Sequence, residues 1–306
     1  MDIHFLQSPE WQKFQESEGC KTLRVKEKNF EYMAIVRSTP LGNYLFVPYG
    51  PALKSKKDLA AALDSLREQA KENAAIFVRI EPTLTFTESE MNELGLKKAQ
   101  HVEPEHTWVL DLTQSEEAIF EPMESRKVRF WRNMENRGMT YKVSHDPKDV
   151  EILYNLLKDL SKVDDFQTFD KEYYEHQMKF DFASLHYIEM EGVPIAASLV
   201  YDDADARYYM HAAADFEHRK AQAGSVLLIQ LIMEAKEAGK KRFDFWGVTT
   251  SEDPSHPWYG FTQYKKSFGG ELVTYTGTYD LVTNAAKYKA YGLLRKANRL
   301  KRKVLN

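Results

Sequence analysis

Twice along its length the chain runs through one order of patterns: a short helix, a set of hairpin-like strands, a long helix, a strand, a short helix and a strand. Strands meeting helices in this alternation predict mixed α/β (α+β) domains, each with helices packed on its own sheet. No residue-level repeat accompanies the pattern, so the duplication shows only as element order. With 306 residues the chain has room for two domains of about 150 each.

The first half opens at Ser8-Pro9-Glu10, a cap with proline in the first turn, ahead of a short helix. Strands KTLRVKE, FEYMAIVRS and NYLFVPYG follow, and then a helix with Leu59, Leu63, Leu66 and Ala70 on one stripe. Strand AIFVRIEP, a helix opened by the capping box Thr87–Glu90, and strand HTWVLDL complete this half. A second capping box, Thr113–Glu116, starts a helical connector containing SRKVRFWRNMENRG, which stops at Gly138. Strand MTYKVS, helices from Asp146 and from Phe169, strand LHYIEM, the hairpin GVPIAASLVYDD/ARYYMHAAAD and the helix GSVLLIQLIMEAKEAG come next. No Pro/Gly/Ser linker separates the halves, and basic helix 124–137 is read as spanning the boundary of a tight interface. The predicted domains are residues 1–143 with 284–306, and residues 144–283. Hairpin, long helix, strand is also the order of the N-acyltransferase (GNAT) fold, so two tandem GNAT-like domains are expected.

The single Cys20 excludes a disulfide framework and a cysteine-based zinc site, which suits a reducing cytoplasm. No apolar run approaches the ~20 residues that a membrane-spanning helix needs, and the start MDIHFLQSPEW is unlike a signal peptide. Charge is uneven: Leu281 to Asn306 holds eight basic residues and no acid, leaving 34 basic against 46 acidic side chains in the first 280. A cationic tail on an acidic body points to an anionic partner.

Residues 243–282 concentrate the unusual chemistry. Strand RFDFWGV leads into a loop of Ser, Asp, Pro and His, then the aromatic helix WYGFTQYKKSF, Gly269-Gly270, and a strand ELVTYTGTYDLV. A polar loop hung between buried elements suits function better than the core around it, and Lys265 and Lys266 are its candidate cleft-facing cations. Phosphate-loop, dinucleotide, HExxH and GxSxG motifs are all absent, and nine histidines lack metal-ligand spacing. No metal and no cofactor is expected. HRKAQAGSVLL loosely resembles the pyrophosphate loop of GNAT enzymes, but Arg219 and Gly224 are spaced two residues too far apart. A helix start capped by Gly and Ser is the plainer reading.

The segments TWVLDLTQSEEAIFEPM, EAGKKRFDFWGV and GFTQYKKSFGGELVTYTGTYDLV, in that order, resemble the Fem family of peptidyltransferases (FemA, FemB, FemX). The resemblance covers most of the chain and is densest from Gly239 to Val282. It implies two GNAT-like domains and transfer of an amino acid from aminoacyl-tRNA to the stem-peptide amine of a peptidoglycan precursor, lipid II or UDP-MurNAc-pentapeptide. The chain leaves no room for a long coiled-coil arm between helix 170–180 and strand 185–190, as in the arm-less FemX type. The resemblance also implies site residues. Lys265 takes the position of the lysine that stabilises the developing oxyanion, with Tyr264 beside it. Lys13 matches a lysine contacting substrate phosphate, and Tyr173 a substrate-contacting tyrosine. Two positions depart from the pattern: Phe169 stands where the family has a phosphate-binding arginine, and His211 where it has a tyrosine.

Plainer readings stand beside each of these. Lys13 can be a solvated helix lysine, Tyr173 a core aromatic beside Tyr174, and His211 a packed hairpin residue. Asp244 and Asp111 are candidate bases, although an aspartate at a strand end is more often a cap or hydrogen-bond acceptor. His256 fits turn chemistry. Arg126, Lys127, Arg129, Arg132 and Arg137 interleave with Phe130 and Trp131, as a solvated interdomain helix or a phosphate contact. In the tail, Ala286, Ala290, Leu293, Ala297, Leu300 and Val304 form an apolar seam expected to dock on the first domain, leaving Lys296, Arg299, Arg302 and their basic neighbours outward. That ridge fits a tRNA backbone or anionic lipid beside a lipid-linked precursor. A monomeric cytoplasmic enzyme is expected, with a peripheral seat at the inner face of the membrane as an option. Its rivals are a CoA-dependent GNAT N-acyltransferase and a non-catalytic binder of tRNA or cell-wall lipid.

Overall fold

The computed structural model describes residues 1, 3–161 and 168–305, with side chains except at 161 and 298–305. The chain divides into two compact units, residues 1–105 with 274–306, and residues 106–273.

The first unit opens with α1 (Pro9–Ser17), where the Ser8 hydroxyl accepts from the Trp11 amide and Trp11 and Phe14 are buried. Strands β1 (Lys21–Lys26), β2 (Phe30–Thr39) and β3 (Gly42–Val47) form an antiparallel meander, with β4 (Ala52–Leu53) paired back on β2. Helix α2 (Leu59–Glu72) crosses to β5 (Ala75–Ile80), which lies parallel to β3. The predicted stripe Leu59, Leu63, Leu66 and Ala70 is buried on this sheet. Next come α3 (Glu88–Glu93), closed at its start by the Thr87–Glu90 capping box, and β6 (Leu96–Lys98).

The second unit runs through β7 (His106–Asp111), α4 (Glu116–Phe120), α5 (Ser125–Arg132), β8 (Met139–Ser144), α6 (Val150–Ser161) and α7 (Lys171–Gln177). It continues with β9 (Ala183–Met190), β10 (Val193–Asp202), β11 (Ala206–Ala214), α8 (Ala223–Glu237), β12 (Arg242–Gly247), α9 (Tyr259–Lys266) and β13 (Glu271–Thr274). The sheet order is β13-β7-β12-β11-β10-β9-β8, and α8 joins the parallel pair β11 and β12. Val226, Leu227, Leu228, Ile229, Leu231 and Ile232 of α8 are all buried; each such side chain contributes roughly 1.5–3 kcal/mol. The helix is this unit's core.

The chain then returns to the first unit as β14 (Tyr279–Val282), between β5 and β6, and ends in α10 (Ala285–Leu305). Each sheet is thus a meander, a long helix and a parallel strand, with one strand from elsewhere in sequence set beside that parallel strand. The expected duplication is real. Among the described residues no coiled-coil arm is present, and no helix is long and apolar enough to cross a membrane.

Four details differ from the sequence reading. The units divide at 105/106 and 273/274 rather than at 143/144 and 283/284. Strand β7, read as closing the first half, pairs with β12, and α5 packs on α8; the basic helix therefore belongs to the second unit and does not bridge a boundary. The stretch ELVTYTGTYDLV is two strands in two sheets, broken around Gly277, whose φ is +82°. The cap of α4 is Ser115, while Thr113 is tied to Asp111.

The tail docks within the first unit, but on another seam. Tyr288 and Tyr291 pack on Phe77 at ring distances of 5.3 and 5.1 Å, and the Tyr288 hydroxyl donates to Asp280 at 2.9 Å. Ala286 is exposed and Leu293 is 62% exposed. The aromatic area of the two tyrosines sets the helix's rotation; of the predicted seam, the side chains of Leu300 and Val304 lie outside the described residues.

Candidate active site

Helix α9 is too short to be stable alone, and tertiary contacts fix it. The Thr262 hydroxyl accepts from the Thr249 amide at 3.1 Å, anchoring the helix to the loop after β12. In that loop Nδ1 of His256 accepts from the Trp258 amide at 3.0 Å, which is turn chemistry. Beyond the helix, Gly269 and Gly270 take φ of +79° and +94°. A side chain at Gly270 would meet the Val109 carbonyl oxygen at 2.6 Å, so the double glycine is what lets the chain pass β7. The Trp108 indole N–H donates to the Gly269 carbonyl at 2.6 Å from the same strand.

This frame holds Lys265. Its Nζ donates to the Gly247 carbonyl at 2.7 Å and lies 5.1 Å from the centre of the Phe261 ring. Burial pushes the ammonium down to about 8, against the opposing pull of Asp244. An ammonium has three donors, so others remain beside the one given to Gly247. Asp244 is 2% exposed; its Oδ1 accepts from the Thr107 hydroxyl and, at 2.7 Å, from the Trp246 amide. Burial raises this carboxyl above its ordinary value, while those donors, Lys265 and Arg242 pull it back. Lys266 is exposed and lies over Trp108, 5.4 Å from the ring centre.

Tyr264 faces the other way. Its hydroxyl bonds Ser225 and stands 3.6 Å from where a side chain on Gly224 would begin, at the first turn of α8. Burial lifts it to about 12. Arg219 is exposed and folds over Phe216, and Gly224 and Ser225 lie in the first turn of α8, in keeping with the plainer reading of this segment as a helix start.

Lys127 also packs here. It is 7% exposed, bonded to the Ser267 hydroxyl, and lies 4.6 Å from the Phe268 ring centre. Burial lowers its ammonium, against Glu124. It therefore leaves the exposed basic set, which on α5 consists of Arg126, Arg129 and Arg132. Arg126 lies over Phe130 and Arg132 over Phe120.

A second group forms around α7 and β11. Phe169 stacks on Tyr173 at 4.6 Å, and His211 lies 4.9 Å from Tyr174, 5.9 Å from Phe169 and 6.3 Å from Tyr201. Burial among these rings pushes His211 down to about 4, so it is neutral. The register of β10 on β11 runs from Leu199–His211 to Val200–Tyr209 and skips Met210. That bulge puts Tyr209 in the α8 core and His211 among the α7 aromatics. The structure thus brings Tyr173, His211 and Phe169 together, and separately sets Lys265 near Asp244, with Tyr264 turned to the start of α8. The sequence offers Asp244 as a candidate base or a strand-end acceptor; the structure buries it as the acceptor of the Thr107 hydroxyl and the Trp246 amide.

Lys13 belongs to the first unit, exposed on α1. Asp111 accepts from the Thr113 amide and hydroxyl, a turn contact. Lys296 is exposed on α10, whereas the side chains of Arg299 and Arg302 lie outside the described residues.

Fold and site together define a tandem N-acyltransferase-like protein with a desolvated lysine in its second unit. The FemX crystal structure matches with a TM-score of 0.83 over 94% of each chain, at 18% identity. A tandem GNAT protein from the clavulanic acid biosynthesis pathway matches with a TM-score of 0.51, covering 83% of this chain and 79% of that one at 10% identity. The chain belongs to the FemAB family, whose model matches residues 2–101 and 181–296. A lipid II:glycine glycyltransferase of Staphylococcus aureus (strain USA300) is 20% identical over 318 residues, 77% of this chain and 75% of that protein. The protein so described from Staphylococcus epidermidis (strain ATCC 35984) is 25% identical over 131 residues, 43% of this chain. The match spans 31% of that relative's length.

Proposed function

We propose that this chain is an aminoacyltransferase that moves an amino acid from aminoacyl-tRNA to the stem-peptide amine of a peptidoglycan precursor, lipid II or UDP-MurNAc-pentapeptide. The observation that carries the reading is Lys265: a half-buried ammonium, charged below about 8, on a short helix whose sequence carries the Fem-like motif. Family membership and the named glycyltransferase relatives support it.

The chemistry asks little of the protein. An aminoacyl ester is already activated. The acceptor amine attacks the ester carbonyl carbon, a C–N bond forms, the C–O bond to the ribose breaks, and the amine's proton leaves as the ribose hydroxyl is released. Negative charge grows on the carbonyl oxygen, and an ammonium in a dry setting is the group to meet it. Tyr173 and His211 are proposed to contact the acceptor, with Tyr264 beside Lys265. Lys13, Arg126, Arg129, Arg132 and Lys296 are proposed as phosphate or tRNA contacts, weakening with salt. Phe169 offers stacking where the family pattern has a cation, so the acceptor's phosphates need another partner.

Purified protein, tRNA charged with a labelled amino acid and either precursor form the test. Label appearing in the precursor is expected. Loss of the ester only by background hydrolysis, with every amino acid and both acceptors, would count against transfer and leave a binding protein. Tight acetyl-CoA binding by calorimetry would favour the CoA rival.

A further inference from the structure

Strand β12 does not run straight past the site. Its register on β7 pairs Arg242, Phe243 and Asp244 with Asp111, Leu110 and Val109, then jumps to Gly247 opposite Thr107. Phe245 and Trp246 therefore share the step at Trp108, a bulge, and Trp246 takes φ of +64°, a region bulky side chains rarely adopt. Such a conformation persists only where its surroundings over-determine it. Here one carboxylate does so. Oδ1 of Asp244 accepts from the Trp246 amide at 2.7 Å and from the Thr107 hydroxyl across the sheet. The carbonyl of Gly247, the next residue along, receives Lys265 at 2.7 Å. A 2% exposed carboxylate is costly unless it is bonded and opposed by charge, and Lys265 and Arg242 are the charges acting on it.

We infer that Asp244 is a positioning residue for Lys265: its carboxylate pins the bulge that aims the Gly247 carbonyl at the Lys265 ammonium, and it supplies the counter-charge that this ammonium needs in a buried setting. Arg242 on β12 and Tyr208 on β11 also interact with Asp244, and Phe261 covers Lys265 from its own helix. The catalytic meaning of the inference rests on the transferase reading; the coupling between the two side chains does not.

The variant Asp244→Asn separates the two roles, because an amide oxygen still accepts both hydrogen bonds but carries no charge. The full chain is labelled with acetic anhydride across the neutral and alkaline range, and modification of Lys265 is followed by mass spectrometry, with no substrate present. In the wild type the titration gives one midpoint; in Asp244→Asn that midpoint should fall by roughly one unit or more, the size of effect a nearby opposite charge exerts. Asp244→Ser, which also removes the charge with a smaller side chain, should shift the midpoint the same way. An unchanged midpoint in Asp244→Asn overturns the inference. Should Asp244→Asn lose its cooperative melt, Asp244→Ser decides, and an unmoved Lys265 there overturns the inference equally. A shifted midpoint in a protein that transfers nothing would sink the transferase reading and leave this inference standing.

Discussion

In the proposed reaction Lys265 has to be charged to meet an oxyanion and dry enough for that charge to count. The fold holds it between those demands: burial pushes its ammonium down to about 8 from the 10.5 of a solvated lysine. The ammonium is thus present below about 8 and lost above it, so single-turnover transfer should fall on the alkaline side around that pH. In Lys265→Arg any remaining activity should lack that limb, since a guanidinium stays protonated. A profile flat through this region in the wild type would mean that Lys265 does not titrate in the rate-determining step. The same burial affects stability. Between about 8 and 10.5 the unfolded chain binds the proton that the folded lysine has released, so Lys265 favours the fold increasingly as pH rises through this window. At neutral pH, Lys265→Met should therefore melt no lower than wild type; a clearly lower melting temperature would show that the bond to Gly247 outweighs the cost of burial. Lys127 is the contrasting cation. Bonded to Ser267 and packed on Phe268, it should act structurally, so Lys127→Ala is expected to lower stability by about 1–3 kcal/mol in denaturant melts, mainly by orphaning its partners.

Elements follow their sequence signals where one force dominates. The α2 stripe and the Thr87–Glu90 box were readable because period and cap chemistry are local. The break inside residues 271–282 was not, because alternating Val, Thr, Tyr and Leu look like one strand and only Gly277 marks the interruption. The start of the tail shows a related effect: the 4-3-4 spacing of Ala and Leu is regular, yet aromatic area at Tyr288 and Tyr291 decides which face docks there. Beneath that face lies a buried pair, Arg79 with Asp280, joined by two bonds of 2.8 Å and capped by Tyr288. Asp280→Ala would leave Arg79 unpaired and should cost about 3–5 kcal/mol in the unfolding transition of the first unit; a loss under about 1 kcal/mol would mean that solvent reaches the pair. At the double glycine, Gly270→Ala forces a methyl onto the Val109 carbonyl at positive φ. A loss of about 2 kcal/mol or more is expected, together with a displaced α9.

For the whole molecule, the duplicated order of elements was legible and the point of division was not. Sequence order suggests that β7 closes what precedes it, but it pairs with β12, and β14 returns from residue 279 to sit beside β5. Non-local pairing of this kind leaves no local mark. The candidate site divides in the same way. Lys265 stood out because a long motif surrounds it, whereas the importance of Asp244 depends on a bulge around a tryptophan at positive φ, which no alternation pattern signals. The account therefore turns on one ammonium in one setting, and the most direct measurement is the single-turnover rate of amino-acid transfer from charged tRNA to lipid II or UDP-MurNAc-pentapeptide, wild type against Lys265→Met. A fall of at least ~100-fold, with the fold intact by circular dichroism, is what charge stabilisation in the transition state predicts. A rate within a few-fold of wild type would contradict it and remove Lys265 from the chemistry.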